Sequence, residues 1–182
     1  MAIAANMVKR QQILVDDMLG PELGSCLGTR WRVVTDGVMG GVSSANLTSV
    51  EREGRRCLRL RGFVNTANNG GFVQAALDLN ADGGWRDLSE FDALEFDVFG
   101  NGEDYNLHVR TAHLTLPWQS FRASFSAPAA WTRIHIPFHA LTPHRTEAAF
   151  DPRRVRRLGL LGIGRDFRAD LAFSMLRLVR HD

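Results

Sequence analysis

The chain is poor in the features that would send it through a membrane or staple it covalently. No apolar run approaches the roughly 20 residues that span a bilayer, because Arg, Asp, Gly or Asn cuts every hydrophobic stretch within a few positions. No transmembrane segment is expected. Cys26 and Cys57 stand without a CxxC pair or a His-rich partner segment, so they read as two semi-buried thiols rather than a disulfide framework. Lysine is nearly missing: Lys9 is the single one, and arginine supplies the rest of the 22 basic residues, against 20 acidic ones. A net charge of +2 and a pI near 8.9 fall short of what a dedicated nucleic-acid surface needs, so no nucleic-acid partner is expected. At the N-terminus Lys9 and Arg10 come late and Asp16 and Asp17 follow, which is too polar for a secretory signal and too acidic for a transit peptide. That pattern predicts a cytoplasmic protein, with the periphery of the inner membrane as the other station.

Catalytic signatures are also missing. There is no GxSxG elbow, no GK[ST] phosphate loop and no GxGxxG, and none of the six histidines falls in an HExxH. Nucleophilic catalysis therefore has no support, and the expectation is a non-enzymatic binding protein without cofactor or metal. One metal-enzyme reading stays open. If Leu94–Thr111 is a hairpin and the Trp131 strand pairs with it, His108 and His135 could share a sheet face with Glu95 or Asp97. Against it, alternating polar residues are what any exposed antiparallel face shows.

What the sequence does have is period-two alternation broken by Gly, Asn, Asp and Pro, the pattern of short half-buried strands. Leu94, Phe96 and Val98 alternate with Glu95 and Asp97, and after Gly100-Asn101-Gly102 the pattern resumes with Tyr105, Leu107 and Val109. That spacing predicts a hairpin over 94–111. Phe121, Ala123 and Phe125 repeat the theme, as do Ile134 and Ile136, and further strands are expected over 56–64, 71–79 and 155–163. Some eight or nine strands in all, with almost no helical periodicity, predict an all-β sandwich or jelly roll. Residues 167–179 fit helix and strand alike. Residues 142–152 read as a surface loop, 1–12 as an N-terminal arm and 13–182 as one sandwich domain.

Two glycine-rich runs stand out. In Trp31-Arg32-Val33-Val34-Thr35-Asp36-Gly37-Val38-Met39-Gly40-Gly41-Val42-Ser43 the glycines imply backbone angles that a side chain forbids, with Asp36 and Ser43 placed to hold the loop. Asn65-Thr66-Ala67-Asn68-Asn69-Gly70-Gly71-Phe72 is a second tight turn feeding a strand. Arg52, Arg55, Arg56, Arg59 and Arg61, and again Arg153, Arg154, Arg156 and Arg157, read either as charged strand edges that resist aggregation or as strips for an acidic partner. Among the tryptophans, Trp85 and Trp118 lie nearest to loops and are the two best placed to stack on a ligand, whereas Trp31 and Trp131 compete with the core.

The order of Asp36-Gly37-Val38-Met39-Gly40-Gly41 with Ser43, Asn69-Gly70-Gly71-Phe72, Tyr105 and Trp131 before Ile136-Pro137-Phe138 resembles the complex I intermediate-associated protein 30 family from about residue 13 to 179. That resemblance implies a galactose-binding-like jelly roll and, for the mitochondrial members, a role in assembling respiratory complex I. It makes an assembly-factor-like protein with a protein partner, such as respiratory-complex subunits, the leading expectation. A carbohydrate or small-ligand module of the same fold is the alternative. Candidate binding residues are Trp31, Asp36, Met39, Asn69, Phe72, Trp85, Trp118 and Arg110, with Asp36 read chiefly as the stabiliser of its own loop.

Overall fold

The computed structural model describes residues 11–181. Alternation builds β1 (Gln12–Asp16), β2 (Arg32–Thr35), β3 (Ser44–Arg52), β4 (Arg55–Val64), β5 (Phe72–Asp78), β6 (Ala93–Phe99), β7 (Asp104–Thr111), β8 (Ser120–Ser126), β9 (Thr132–Pro137), β10 (Thr142–His144), β11 (Val155–Ile163) and β12 (Phe167–Val179). They form two six-stranded sheets. The first has the order β3-β4-β12-β6-β9 with β1 also on β12, and the second runs β10-β8-β7-β11-β5-β2. All the pairings are antiparallel. The result is the jelly-roll sandwich that the strand spacing predicts.

The inward residues of the two sheets meet in one apolar layer, with Leu58, Leu60, Leu94, Phe96, Leu171 and Phe173 facing Leu77, Leu107, Val109, Phe121, Leu158 and Leu160. Phe96 from the first sheet meets Phe125 from the second edge to face at 5.2 Å between ring centroids. Truncating such a buried ring costs about 3–5 kcal/mol. Tyr105 spans the layer: its hydroxyl donates to Asn101 Oδ1 (2.7 Å) and accepts from the Asp170 amide (2.9 Å), and burial pushes the phenol up to about 12.

Several local expectations are corrected. Leu94–Thr111 is not a hairpin: β6 pairs with β12 and β9, while β7 pairs with β8 and β11 in the other sheet. The Gly100-Asn101-Gly102 turn carries the chain across the core instead, held by Gly100 N donating to Pro128 O (2.8 Å) and Gly102 N to Ala127 O (2.8 Å). Either connection needs two alternating runs with their apolar residues inward, so alternation alone does not choose the partner. Residues 167–179 are strand β12, with a bulge where Met175 takes φ +53° and the register with β6 shifts between Ser174 and Arg177. The inward set passes from Ala169, Leu171 and Phe173 to Leu176 and Leu178. That three-residue step imitates a helical period. In 142–152, Thr142–His144 pairs with β8, and Ala148 and Phe150 pack on the core.

Four strands, β1, β2, β3 and β10, and the ambiguous β12 add to the seven that alternation marks. Two are very short, and only Leu47 is buried in β3. The sandwich begins with β1 at Gln12, and residues 1–10 of the expected arm lie outside the described residues. No helix among the described residues is long and apolar enough to cross a membrane.

Candidate functional site

The two glycine-rich runs meet at one carboxylate. Asp36 is fully buried. Its Oδ1 accepts from Ser43 N (2.9 Å), and its Oδ2 accepts from Ser43 Oγ (2.5 Å), Gly71 N (2.5 Å) and Phe72 N (3.3 Å). Burial opposes ionisation, but the Ser43, Gly71 and Phe72 donors outweigh it and hold the carboxyl below its ordinary range. Ser43 Oγ in turn accepts from Asn65 N (2.9 Å), so the knot ties together the ends of β2, β3, β4 and β5 from both sheets. The glycines are there because the carboxylate fills the space: a Cβ on Gly41 would lie 2.4 Å from the Asp36 side chain and one on Gly70 2.5 Å. Asn68 and Asn69 take left-handed angles, φ +55° and +57°, that asparagine tolerates better than most residues.

This knot displays an apolar tip. Val38, Met39 and Val42 are 76%, 50% and 51% exposed, on a segment whose backbone is pinned by Gly41 N to Asp36 O (2.9 Å) and by Gly37 N to Thr35 Oγ1 (3.3 Å). Loops of this kind lose little entropy when a partner covers them.

A second assembly lies on the outward face of the second sheet. Register places Arg110 beside Arg157, and His108 beside Gly159 and Arg122. Arg110 Nη2 donates to Leu116 O (3.2 Å), and Arg157 pairs with Asp78 at 2.6 Å, as Arg32 does at 3.1 Å. Arg110 Nε, Arg156 Nε and His108 Nε2 are buried without a hydrogen-bond partner among the described residues. Burial, then the His144 and Arg122 charges, push His108 down to about 3, so its ring is neutral at physiological pH. Burial and the neighbouring Arg157 and Arg156 likewise lower Arg110. Trp85 and Trp118, 51% and 46% exposed, sit on loops that both anchor at the start of β11, through Arg86 N to Val155 O and Ala112 N to Arg154 O, each 2.8 Å.

Residues 25–174 match the model of the complex I intermediate-associated protein 30 family. The chain belongs to that family. Among solved structures this family member is similar to the family 11 carbohydrate-binding module of a Clostridium thermocellum cellulosomal cellulase. The TM-score is 0.74 at 13% identity, over 94% of this chain and 95% of that one. The same module in complex with a β-1,3-1,4-mixed-linked tetrasaccharide gives 0.72 at 14%, over 93% and 95%. The family 30 module of another cellulase from that organism gives 0.66 at 19%, over 94% and 99%. At these identities the likeness is one of fold. No curated protein matches the chain.

The remaining sequence candidates fall in different places in this family member. Trp31 is 1% exposed, packs on Phe173 at 5.0 Å and donates from Nε1 to Asp16 Oδ2 (2.7 Å), so it offers no surface to a ligand. Its place in the core corrects the expectation that it contacts a ligand. Phe72 is half-buried at the knot and Asn69 is exposed beside it. The His108–His135 cluster that the open metal-enzyme reading requires does not form: His108 bonds Ser120 Oγ (3.1 Å) on the second sheet, whereas His135 faces Glu95 (3.1 Å) on the first. The missing hairpin is the reason. Arg59 and Arg61 share Asp170 at 2.7 and 3.9 Å, and Arg55 and Arg133 share Asp97 at 2.8 and 2.9 Å. No local motif in the sequence marks His144, packed on His108 at 5.7 Å, or His181, packed on His135 at 4.8 Å.

Proposed function

We propose that this chain is a non-catalytic binding protein that assists assembly of a respiratory complex, taking a protein partner on the Val38-Met39-Val42 tip. The observation that carries the reading is the tip itself: apolar side chains held out into solvent by a buried, fully engaged carboxylate. Family membership supplies the class of partner. The chemistry of the described residues favours binding over catalysis. Asp36 spends its acceptors on loop donors, and the buried Cys57 thiol is pushed up by its burial. The place of action is the cytoplasm or the inner-membrane periphery. The test is affinity capture of tagged protein from its own cells in mild detergent, beside a Val38→Ser, Met39→Ser variant. Respiratory-complex subunits should be enriched by the native chain and lost with the variant at unchanged melting temperature. Equal enrichment by both would remove the tip from the account.

A second reading, a glycan or small-ligand module, is favoured by the buried unpartnered atoms of Arg110, Arg156 and His108 near the Trp85 and Trp118 loops. It draws support from the tetrasaccharide bound by a similar fold. Calorimetric titration across a glycan panel distinguishes it: saturable binding abolished by Trp118→Ala supports the module, and silence across the panel counts against it.

A further inference from the structure

The outward face of the first sheet brings together three side chains, Glu95, His135 and His181. Register sets Glu95 on β6 opposite His135 on β9, with His135 Nδ1 3.1 Å from Glu95 Oε1. Val179 pairs with Ala93, which leads the chain beyond β12 back beside the start of β6. There Asp92 grips His181 twice, Oδ2 accepting from its amide and Oδ1 contacting Nδ1, both at 2.9 Å. The two imidazoles then meet edge to face at 4.8 Å between centroids.

We propose that Glu95, His135 and His181 form a site for a divalent transition-metal ion of the zinc class. One donor atom from each lies within 4.8 Å of the others. Tetrahedral zinc, with bonds of about 2.0–2.1 Å, sets its ligands about 3.3 Å apart, and the His135–Glu95 spacing of 3.1 Å is already close to that. His135 is exposed, so rotation of its side chain toward the fixed His181 ring closes the remaining distance without moving a strand. Glu95 is buried, with Oε2 3.7 Å from Arg177 and Oε1 3.1 Å from His135, so Oε1 is the oxygen placed to bind as a monodentate ligand beside that imidazole. Asp92 has the part that carboxylates take behind metal-bound imidazoles, fixing the ring through one nitrogen so that the other points at the ion. Two imidazoles with one carboxylate suit zinc, nickel or copper rather than calcium or magnesium, which prefer oxygen shells. Three protein ligands leave a coordination position open to solvent, so the ion is exchangeable.

The test is calorimetric titration of zinc chloride into tag-free, chelator-stripped protein at neutral pH, with melting curves alongside. One zinc per chain should bind in the micromolar range and raise the melting temperature. His135→Ala and His181→Ala should abolish both effects, and Asp92→Asn should weaken binding by roughly tenfold or more. His144→Ala, on the other sheet, should bind as the native chain does. His181 lies beyond the last strand on the surface, so its variant keeps the fold and isolates the ligand. A requirement for millimolar zinc, unchanged binding in His181→Ala, or loss of binding in His144→Ala instead would each overturn the assignment.

Discussion

The two outward faces of the sandwich use the same residue type to opposite ends. On the first sheet arginines are matched by acids: Asp97 takes Arg55 and Arg133, Asp170 takes Arg59, Arg52 and Arg61, and Glu95 takes Arg177. Even Arg52 and Arg177, whose buried atoms lack hydrogen bonds, lie 3.7 Å from a carboxylate. On the second sheet Asp78 serves Arg32 and Arg157, while Arg110 and Arg156 keep buried nitrogens without a hydrogen-bond partner among the described residues. A buried donor left unpaired costs free energy that a paired one does not. The arginines of the first face thus lie against carboxylates of the chain itself, and the second holds polar groups that an acceptor-rich ligand would complete.

The Asp36 knot joins the two sheets, and breaking it should have the largest effect. Asp36→Ala strands the Ser43, Gly71 and Phe72 donors at once, so urea unfolding should show a loss of about 3 kcal/mol or more. A loss below about 1 kcal/mol would mean that water replaces the carboxylate and the knot is incidental.

Acid should separate the faces next. His108 is held down to about 3, by burial first and by the His144 and Arg122 charges after it. Its folded-state value lies below the unfolded one, so its contribution is fully present above about pH 6.5 and is lost as the pH falls toward about 3. The expected slope is up to about 1.4 kcal/mol per pH unit in that window. The carboxylates Asp170, lowered chiefly by the Arg59 hydrogen bond, and Asp78, where burial opposes ionisation but Arg157 and Arg32 outweigh it, give way only further down, below the ordinary carboxylate value near 4. Unfolding measured across pH should therefore steepen well above pH 4 in the native chain, and His108→Gln should flatten that upper limb alone. An unchanged profile in the variant would contradict the assignment of the upper limb to His108.

Arg61→Ala should do least. The pair with Asp170 is 3.9 Å long and its guanidinium is mostly in water, so the change should stay within about 0.5 kcal/mol. A larger loss would show that these ion pairs act as a cooperative network.

How far the sequence spoke depended on the range of the interaction. Inward residues of β4–β9 and β11 were legible because a two-residue period is local and strands of a sandwich must bury one face. The partner of β7 was not, since a turn between sheets and a turn within one carry the same residues. The Met175 bulge disguised β12 as a helix candidate. The glycine pairs announced shaped loops, but their reason, the Asp36 carboxylate packed against Gly41 and Gly70, exists only once the two runs meet. Contact between His135 and His181 is likewise set by the order of strands and by no spacing along the chain.

The most direct test of the binding account is site-specific photo-crosslinking in living cells, with the photoreactive residue in place of Met39 in one strain and of Trp118 in another. The account predicts a discrete protein adduct from position 39, identified as a respiratory-complex subunit or assembly companion, and none from position 118. Adducts from position 118 alone, or from neither position, would contradict it.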